Sequence, residues 1–267
     1  MKISMIGPIY PYRGGIAHYN TALCRELNNA GHQVQIISFK RQYPAWLYPG
    51  QSDLEPGGQY DHPSASYTLD PFNAWTWWKS LRIIFSFSPC LVLIQWWTTF
   101  WAPAFFVISW ILKQRGIACL FAVHNVYPHE KRRIDQLIAR LVLSNGKGFI
   151  TFSSRESERL VHLIPAARIF QSQLPVTKLH SVDMNRDDLR KEMNLPSGQP
   201  VLLLFGIIRP YKGLKVLLDA LALLKKKGLT PYVLVAGEFW EDIEGYRKRI
   251  SDLELTNQIT LENRYIP

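Results

Sequence analysis

The chain has 267 residues, of which 47% are apolar and 19% charged, and this composition excludes a disordered protein. The formal net charge is +10, which excludes an acidic surface that repels anions. Three widely separated cysteines (Cys24, Cys90 and Cys119) exclude a disulfide framework and a C-x-x-C zinc site, so we predict a reducing, cytoplasmic location.

The first part of the chain alternates between predicted strands and helices. Apolar runs predict strands at 2–6, 33–39, 90–96, 118–123 and 148–152. Apolar stripes at helical spacing predict helices at 15–30, 72–86, 131–144 and 154–163, and another that begins at Pro103 and ends before Gly116. Five prolines in residues 40–71 indicate an irregular excursion. The alternation predicts a parallel sheet covered on both faces.

One stretch, from Ile83 to Leu112, carries no charge and is long enough for a membrane span. Gln95 and Pro103 interrupt it and Lys113 follows it, so we favour a buried strand followed by a helix. Tryptophans beside basic residues in this region also predict a monotopic contact with a membrane surface.

A polar, proline-containing segment at 173–199 predicts a linker with one short helix. The alternation then restarts, with strands at 201–206, 232–237 and 258–262 and helices at 213–227 and 241–254. We therefore predict two domains, residues 1–180 and 181–267. Because the second has only three strands when the sequence ends at Pro267, we expect the chain to be a fragment that ends inside a domain.

Ligands of parallel sheets bind at the carboxyl ends of the strands, so the strand-to-helix turns are the candidate sites. The first turn, "GPIYPYRGGIAHY", matches neither the dinucleotide fingerprint nor the Walker pattern. Gly14 and Gly15 nevertheless place unhindered backbone N–H groups at a helix N-terminus, where a phosphate or a sugar hydroxyl could bind. The competing interpretation is a plain glycine turn.

A histidine, His124, directly follows the strand at 118–123, and we expect its ring to lie at the sheet end. There an imidazole could donate to a sugar oxygen or polarise a developing charge, and the competing interpretation is a structural histidine. A metal site formed by His124, His129 and Glu130 is disfavoured, since the spacing lies on a proline-containing loop. We predict no metal.

Two cations, Arg209 and Lys212, occupy the turn of "FGIIRPYKGLKVLLDAL" ahead of a leucine-striped helix. Leucines at 214, 217, 218, 221 and 224 are expected to bury that helix and so fix its end. Paired cations beside a helix N-terminus suit a diphosphate and would stabilise it as a leaving group. The competing interpretation is a pair of solvated loop cations.

These motifs together resemble a known family. The chain is similar to the N-terminal half to two-thirds of a family 4 glycosyltransferase of GT-B fold, through "YPYRGGIAHY", "AVHNVYPHE", "FGIIRPYKGLKVLLDAL", "VLVAGEFWED" and "ENRYIP". The resemblance implies an α/β protein with a complete N-terminal Rossmann-like domain and the first part of a second one. It also implies an N-terminal acceptor-side domain and a C-terminal donor domain, facing across a cleft.

The same resemblance implies a hexosyltransferase that moves a sugar from a nucleotide-diphospho-sugar with retention of configuration and without a metal or cofactor. Arg209 and Lys212 match the pair that holds the donor diphosphate. Gly14 and Gly15 match the loop that approaches the donor phosphate and sugar, and His124 matches the histidine beside the transferred sugar. We expect the family's E-x7-E motif further on than Pro267, which puts the activity of these residues by themselves in doubt.

The charge is uneven, and this bears on the partners. Residues 1–185 hold 18 Lys+Arg against 10 Asp+Glu, whereas residues 186–267 hold 13 against 11. The excess favours a saccharide or lipid-linked acceptor and an anionic membrane surface at the cytoplasmic side, although a basic surface that confers only solubility would explain it too. A peripheral membrane-binding module without turnover is the alternative function. Nucleic-acid binding lacks a module signature, and an oxidoreductase lacks the G-x-G-x-x-G motif.

Overall fold

The computed structural model describes residues 1–44, 46, 48, 50, 52–59, 62–127, 133–175 and 184–266. The chain divides into two compact units, Met1–Tyr48 with Ser52–Thr177 and Pro49–Gln51 with Lys178–Pro267. The predicted domain boundary between residues 180 and 181 lies outside the described residues, and it stays a prediction.

The first unit is built on a seven-stranded sheet in which every described pairing is parallel. Its strands are β1 (Lys2–Ile6), β2 (Gln33–Phe39), β3 (Ala65–Leu69), β4 (Leu91–Trp96), β5 (Ala118–Val123), β6 (Gly148–Thr151) and β7 (Ile169–Gln171). They lie in the order β3-β2-β1-β4-β5-β6-β7, so the direction of the strand order reverses at β1. Such a reversal opens a crevice at the carboxyl ends of the strands.

Five helices connect these strands: α1 (Gly15–Asn29), α2 (Ala74–Phe87), α3 (Ala102–Gln114), α4 (Arg133–Leu143) and α5 (Ser154–Leu163). Two buried clusters form the core. One packs the inner sides of α2, α3 and α4 against the sheet, and the other includes Cys24 of α1 with strand residues such as Met5 and Ile36. The predicted parallel sheet with helices on both faces is therefore confirmed.

Two strands of this sheet were not predicted. Ala65–Leu69 lies within the proline-containing excursion, where it pairs with β2, and four of its five residues are only half-buried. Ile169–Gln171 has three residues and pairs only with β6. Both are edge strands, and edge strands are shorter and more polar than the central strands that periodicity detects.

The second unit begins with α6 (Arg186–Glu192), the predicted short helix. It continues through β8 (Val201–Phe205), α7 (Leu214–Lys226), β9 (Tyr232–Ala236), α8 (Ile243–Asp252) and β10 (Ile259–Glu262). The sheet is parallel, in the order β10-β9-β8. Three of the five leucines expected to bury α7, Leu214, Leu218 and Leu221, are fully buried, and they fix the start of that helix by packing.

The uncharged stretch from Ile83 to Leu112 forms the end of α2, all of β4 and most of α3. Within the described parts of the chain, no helix is both long and apolar enough to cross a bilayer. The expectation of a buried strand followed by a helix is confirmed.

Candidate functional site

The carboxyl end of the first sheet gathers polar and aromatic side chains around His124. This histidine follows β5, Gln95 lies near the end of β4, and Phe152 follows β6. The imidazole stacks on the Phe152 ring at a centroid distance of 4.9 Å, and the Tyr19 ring of α1 meets it edge-on at 5.7 Å. His124 therefore lies at the sheet end, as the sequence predicts, and two aromatic residues enclose its ring.

The hydrogen bond with Gln95 sets the tautomer of this ring. Its Oε1 lies 2.8 Å from Nε2 of His124. With an amide oxygen as acceptor, Nε2 carries the proton and Nδ1 keeps a lone pair. Burial lowers the pKa of His124 from 6.5 to about 4, because removal from water disfavours the charged ring. The imidazole is therefore neutral at pH 7 and accepts, rather than donates, at Nδ1.

Gln95 is itself fully buried beneath the first turn. A side chain at Gly7 would meet Gln95 Cγ at 2.6 Å and Asn20 Nδ2 at 2.9 Å, so the backbone of that turn lies directly against both amides. Asn20 Nδ2 donates to the Pro8 carbonyl at 2.7 Å. Among the described residues, Gln95 Nε2 and Asn20 Oδ1 have no hydrogen-bond partner. The sheet end thus contains a buried hydrogen-bond donor and a buried acceptor that the described residues leave unsatisfied.

The glycine turn places both predicted glycines at the solvent-exposed start of α1. Gly14 is the N-cap residue, with φ +102° and ψ 161°, a conformation that favours glycine. Gly15 is the first residue of the helix, and a methyl group on either glycine would meet nothing within 4 Å. The first turn of α1 has no acidic residue, so its N–H groups and helix dipole suit an anion.

Residues 52–58 hold this turn in place, and we call them the clasp. Arg13 N donates to the Asp53 carbonyl at 2.8 Å, and its Nη1 donates to the Ser52 carbonyl at 2.9 Å. Glu55 N donates back to the Pro11 carbonyl at 2.8 Å. The sequence of this excursion predicts irregular structure and no functional role, because backbone contacts of this kind leave no pattern in side-chain composition.

In the second unit, the turns that follow β8 and β9 are joined by their backbones. Ile208 N donates to the Glu238 carbonyl at 2.9 Å, and Trp240 N donates to the Ile208 carbonyl at 3.0 Å. A Cβ atom at Gly237 would lie 2.0 Å from the Gly206 carbonyl oxygen, so the two glycines permit this close approach.

Arg209 precedes a single 3₁₀ turn, Pro210–Lys212, and Lys212 is its last residue. Lys212 N donates to the Arg209 carbonyl at 2.9 Å. Gly213 caps α7 with φ +79°, and the first turn of α7 has no acidic residue. The Lys212 side chain is exposed and Arg209 is half-buried. The structure therefore places both predicted cations one turn apart, immediately before a helix N-terminus, an arrangement suited to a diphosphate.

Trp240 is a site residue that sequence reasoning missed. The Cζ atom of Arg209 lies 4.8 Å from the centre of the Trp240 ring, within the range of a cation–π contact. The tryptophan lies inside the quoted motif "VLVAGEFWED", but only the fold brings the turn after β9 against Arg209. Its ring restricts where the guanidinium can point.

Two acidic residues of the second unit match the spacing of the expected glutamate motif but not its position further along the chain. Glu254 and Glu262 have the E-x7-E spacing, but Glu254 lies between α8 and β10 and pairs with Lys225 at 2.9 Å, whereas Glu262 is the last residue of β10. Glu238 is buried at the turn after β9. In the parts of the chain that the structure describes, no three His, Cys, Asp or Glu residues lie where they could share a metal ion, and His129 and Glu130 lie outside those parts.

Comparison with protein families gives two matches. Residues 14–171 match the model of the glycosyl transferase 4-like domain, and residues 185–264 match that of glycosyl transferases group 1. The two matches cover the two structural units, and the first alone covers more than half of the chain. Comparison with curated protein sequences finds no match.

Solved structures share the fold at low sequence identity. A glycosyltransferase from Rickettsia africae ESF-5 superimposes with a TM-score of 0.70 at 17% identity, over 98% of this chain and 68% of that one. The catalytic domain of starch synthase IV from Arabidopsis thaliana, bound to ADP and acarbose, gives 0.63 at 13%, over 100% and 74%. UDP-GlcNAc 2-epimerase from Neisseria meningitidis, bound to UDP-GlcNAc, gives 0.58 at 14%, over 98% and 72%. The GT-B fold prediction is confirmed.

Proposed function

The chain belongs to the family 4-like glycosyltransferases of GT-B fold, and from this premise we propose that it transfers a hexose from a nucleotide-diphospho-sugar to a saccharide or lipid-linked acceptor, with retention of configuration. The single observation that supports this most directly is the placement of Arg209 and Lys212 one turn apart before the N-terminus of α7. A starch synthase of the same fold binds ADP, and an epimerase binds UDP-GlcNAc.

The second unit holds the donor diphosphate in this proposal. Arg209, restrained by Trp240, and the exposed Lys212 bind the phosphate oxygens, and the N–H groups at the start of α7 add the field of the helix dipole. As the bond between the sugar C1 and the diphosphate oxygen breaks, negative charge grows on the departing nucleoside diphosphate. Fixed cations stabilise that charge more than the charge of the bound donor, which lowers the barrier.

The first unit supplies the contacts to the sugar. The exposed N–H groups of Gly14 and Gly15 bind the donor phosphate or a sugar hydroxyl. His124 lies beside the transferred sugar, and its neutral ring accepts a hydrogen bond from a sugar hydroxyl at Nδ1 while Gln95 holds Nε2–H. The reaction needs neither a metal nor a cofactor, since the cations of the chain neutralise the diphosphate.

Calorimetry tests the donor site directly. The 267-residue protein is titrated with UDP-, GDP- and ADP-glucose, and one of them binds, while the double variant Arg209→Ala, Lys212→Ala binds that donor at least tenfold more weakly. The matched control is Lys226→Ala, Lys227→Ala, which removes two exposed cations from the other end of α7. Equal affinity in all three proteins, or no heat from any donor, refutes the proposal.

Slow transfer to water gives the stereochemistry. The C1–oxygen bond of the donor breaks, the nucleoside diphosphate leaves, and water forms the new bond while losing a proton. Proton NMR of the fresh product shows the α-hexose first if configuration is retained, and the β-hexose first if it is inverted. The second result contradicts the proposed retaining mechanism.

The second candidate function is a peripheral membrane-binding module without turnover, at the cytoplasmic face of a membrane. The exposed aromatic and basic side chains of α2 and α3 favour it. The two functions can be distinguished, because donor binding requires Arg209 and Lys212, whereas membrane binding requires the exposed side chains of α2 and α3. A protein that binds vesicles but no nucleotide sugar has only the second function.

A further inference from the structure

Three adjacent helices of the first unit present an unusual outer surface. The inner sides of α2, α3 and α4 all bury residues in one core cluster, among them Leu81, Phe105 and Val142. Because α3 contacts both α2 and α4, the three helices form one layer on one side of the sheet. Their outer sides therefore form a continuous surface, which we call the helical face.

Large apolar side chains are exposed across this face. On α2, Trp75 is 80% exposed and Trp78 is 42% exposed, and on α3 Phe106 and Trp110 lie one turn apart and are also exposed. On α4, Ile134, Leu137 and Leu141 are exposed at the spacing of one helix side. Single exposed apolar residues are ordinary, but a set repeated on three neighbouring helices marks an interaction surface.

The charges on the helical face have one sign. Lys79 and Arg82 of α2, Lys113 of α3 and Arg140 of α4 are exposed. The sequences of the three helices contain one acidic residue, Asp135, which is buried and accepts a hydrogen bond from Thr99 at 2.7 Å. The face therefore attracts anions and repels cations over its whole extent.

The aromatic residues and cations are also close to each other. The Arg82 guanidinium lies 5.9 Å from the centre of the Trp78 ring, and that of Arg115, just after α3, lies 4.9 Å from the Phe85 ring of α2. Tryptophan beside arginine and lysine suits the interface of a bilayer, where the indole lies among headgroups and the cation meets lipid phosphate.

We propose that the helical face docks on the surface of an anionic membrane. Charge complementarity selects the occupant: a protein partner would need an acidic apolar surface, whereas anionic lipid supplies phosphate and acyl carbon together. Each of the three helices follows the carboxyl end of a strand, so their N-terminal halves, which carry Trp75, Trp78, Phe106 and Ile134, lie towards the sheet edge that carries His124. This last point rests on the proposed function and implies that the acceptor is a lipid-linked saccharide.

Vesicle co-sedimentation tests the proposal on the 267-residue protein without any donor. We expect binding to vesicles of phosphatidylcholine with 30% phosphatidylglycerol, about tenfold or more weaker binding to phosphatidylcholine alone, and release at 0.5 M salt. The variant Lys79→Glu, Arg82→Glu, Lys113→Glu loses at least tenfold in binding, and so does Trp75→Ala, Trp78→Ala, Trp110→Ala.

The matched control, Lys226→Glu, Lys227→Glu, Lys248→Glu, reverses three exposed cations of the second unit and keeps the binding of the original protein. Circular dichroism confirms that each variant is folded. Equal binding by all variants, equal binding to neutral vesicles, or complete competition by duplex DNA overturns the proposal. So does a dimer in light scattering that the tryptophan variant dissociates, since a second copy then covers the face. Donor calorimetry on the same variants is unchanged, so a failure here leaves the proposed sugar transfer untouched.

Discussion

The Nε2 atom of His124 lies 2.8 Å from Oε1 of Gln95, a glutamine with no solvent-exposed surface. The ring is also stacked on Phe152 and met edge-on by Tyr19. The histidine is thus held in one tautomer and kept neutral, and two consequences of this arrangement can be measured.

Stability should depend on pH through His124. Burial lowers its pKa from 6.5 to about 4, so the unfolded chain binds a proton between these values and the folded chain does not. The contribution is fully present above pH 6.5 and is lost as the pH falls towards 4. From pH 7 to pH 5 the free energy of unfolding should fall by about 2 kcal/mol more than in His124→Asn. Urea unfolding at both pH values measures this, with the exposed His162→Asn as control; parallel losses in all three proteins contradict it.

The variant Gln95→Glu should raise the pKa of His124. A carboxylate in place of the amide oxygen stabilises the imidazolium, which shifts the pKa upward by about 1–3 units. NMR titration of the His124 Cε1 proton measures the shift. Gln171→Glu, on the exposed strand β7, should leave it unchanged, and an unmoved pKa in Gln95→Glu would show that the two groups do not interact in solution.

Loss of the Trp240 ring should weaken donor binding without unfolding the second unit. A half-exposed cation–π contact contributes about 0.5–1 kcal/mol, so Trp240→Leu should raise the Kd of the donor about two- to fivefold. Calorimetry measures the change, and Trp110→Leu in the first unit is the control. Full affinity in Trp240→Leu would mean that Arg209 is positioned by other contacts.

The two glycines of the first turn should respond differently to alanine. Gly14→Ala places a side chain at φ +102° and should cost about 1–3 kcal/mol of unfolding free energy. Gly15→Ala adds a methyl group to the helix start in open space, so stability should stay equal or rise slightly. Any loss of donor affinity in Gly15→Ala therefore reports contact with the ligand. If Gly15→Ala binds the donor normally, the turn does not approach it.

Gly237 should tolerate no side chain. The Cβ atom of Gly237→Ala would lie 2.0 Å from a backbone oxygen, which cannot move aside without separating the two turns. We expect a loss of about 3 kcal/mol or more. Gly228→Ala also has a positive φ, 75° against 149° at Gly237, but it has open space around it and should lose about 1 kcal/mol. Thermal unfolding of the second unit compares them, and equal losses would show that strain and not contact is responsible.

Sequence periodicity was sufficient for the central elements of both sheets, because buried strands such as β5 are continuous apolar runs. It failed at β3 and β7. These edge strands depend on pairing with β2 and β6, and their side chains are half-buried or exposed.

Some residues of the candidate site could likewise be located from the sequence, and others could not. Gly14, Gly15, His124, Arg209 and Lys212 lie at strand-to-helix turns, which can be located once the strands are known. Gln95 and Trp240 could not be found in this way. Gln95 looked like an interruption of an apolar run, and its contact with His124 depends on the pairing of β4 with β5. The contact of Trp240 with Arg209 similarly depends on the hydrogen bonds between two turns.

The clasp, which lies in the excursion between β2 and β3, affects how the sequence of such a protein can change during evolution. It holds the glycine turn mainly through main-chain atoms of Ser52, Asp53 and Glu55, so most substitutions there keep these contacts, while insertions or deletions change them. A side-chain contact of the clasp also joins Glu55 to His18 at 3.1 Å. Natural variants could therefore acquire new preferences by changing the length of one surface segment, with the seven strands inherited unaltered. Grafting this segment between related chains is a direct route to engineering that change.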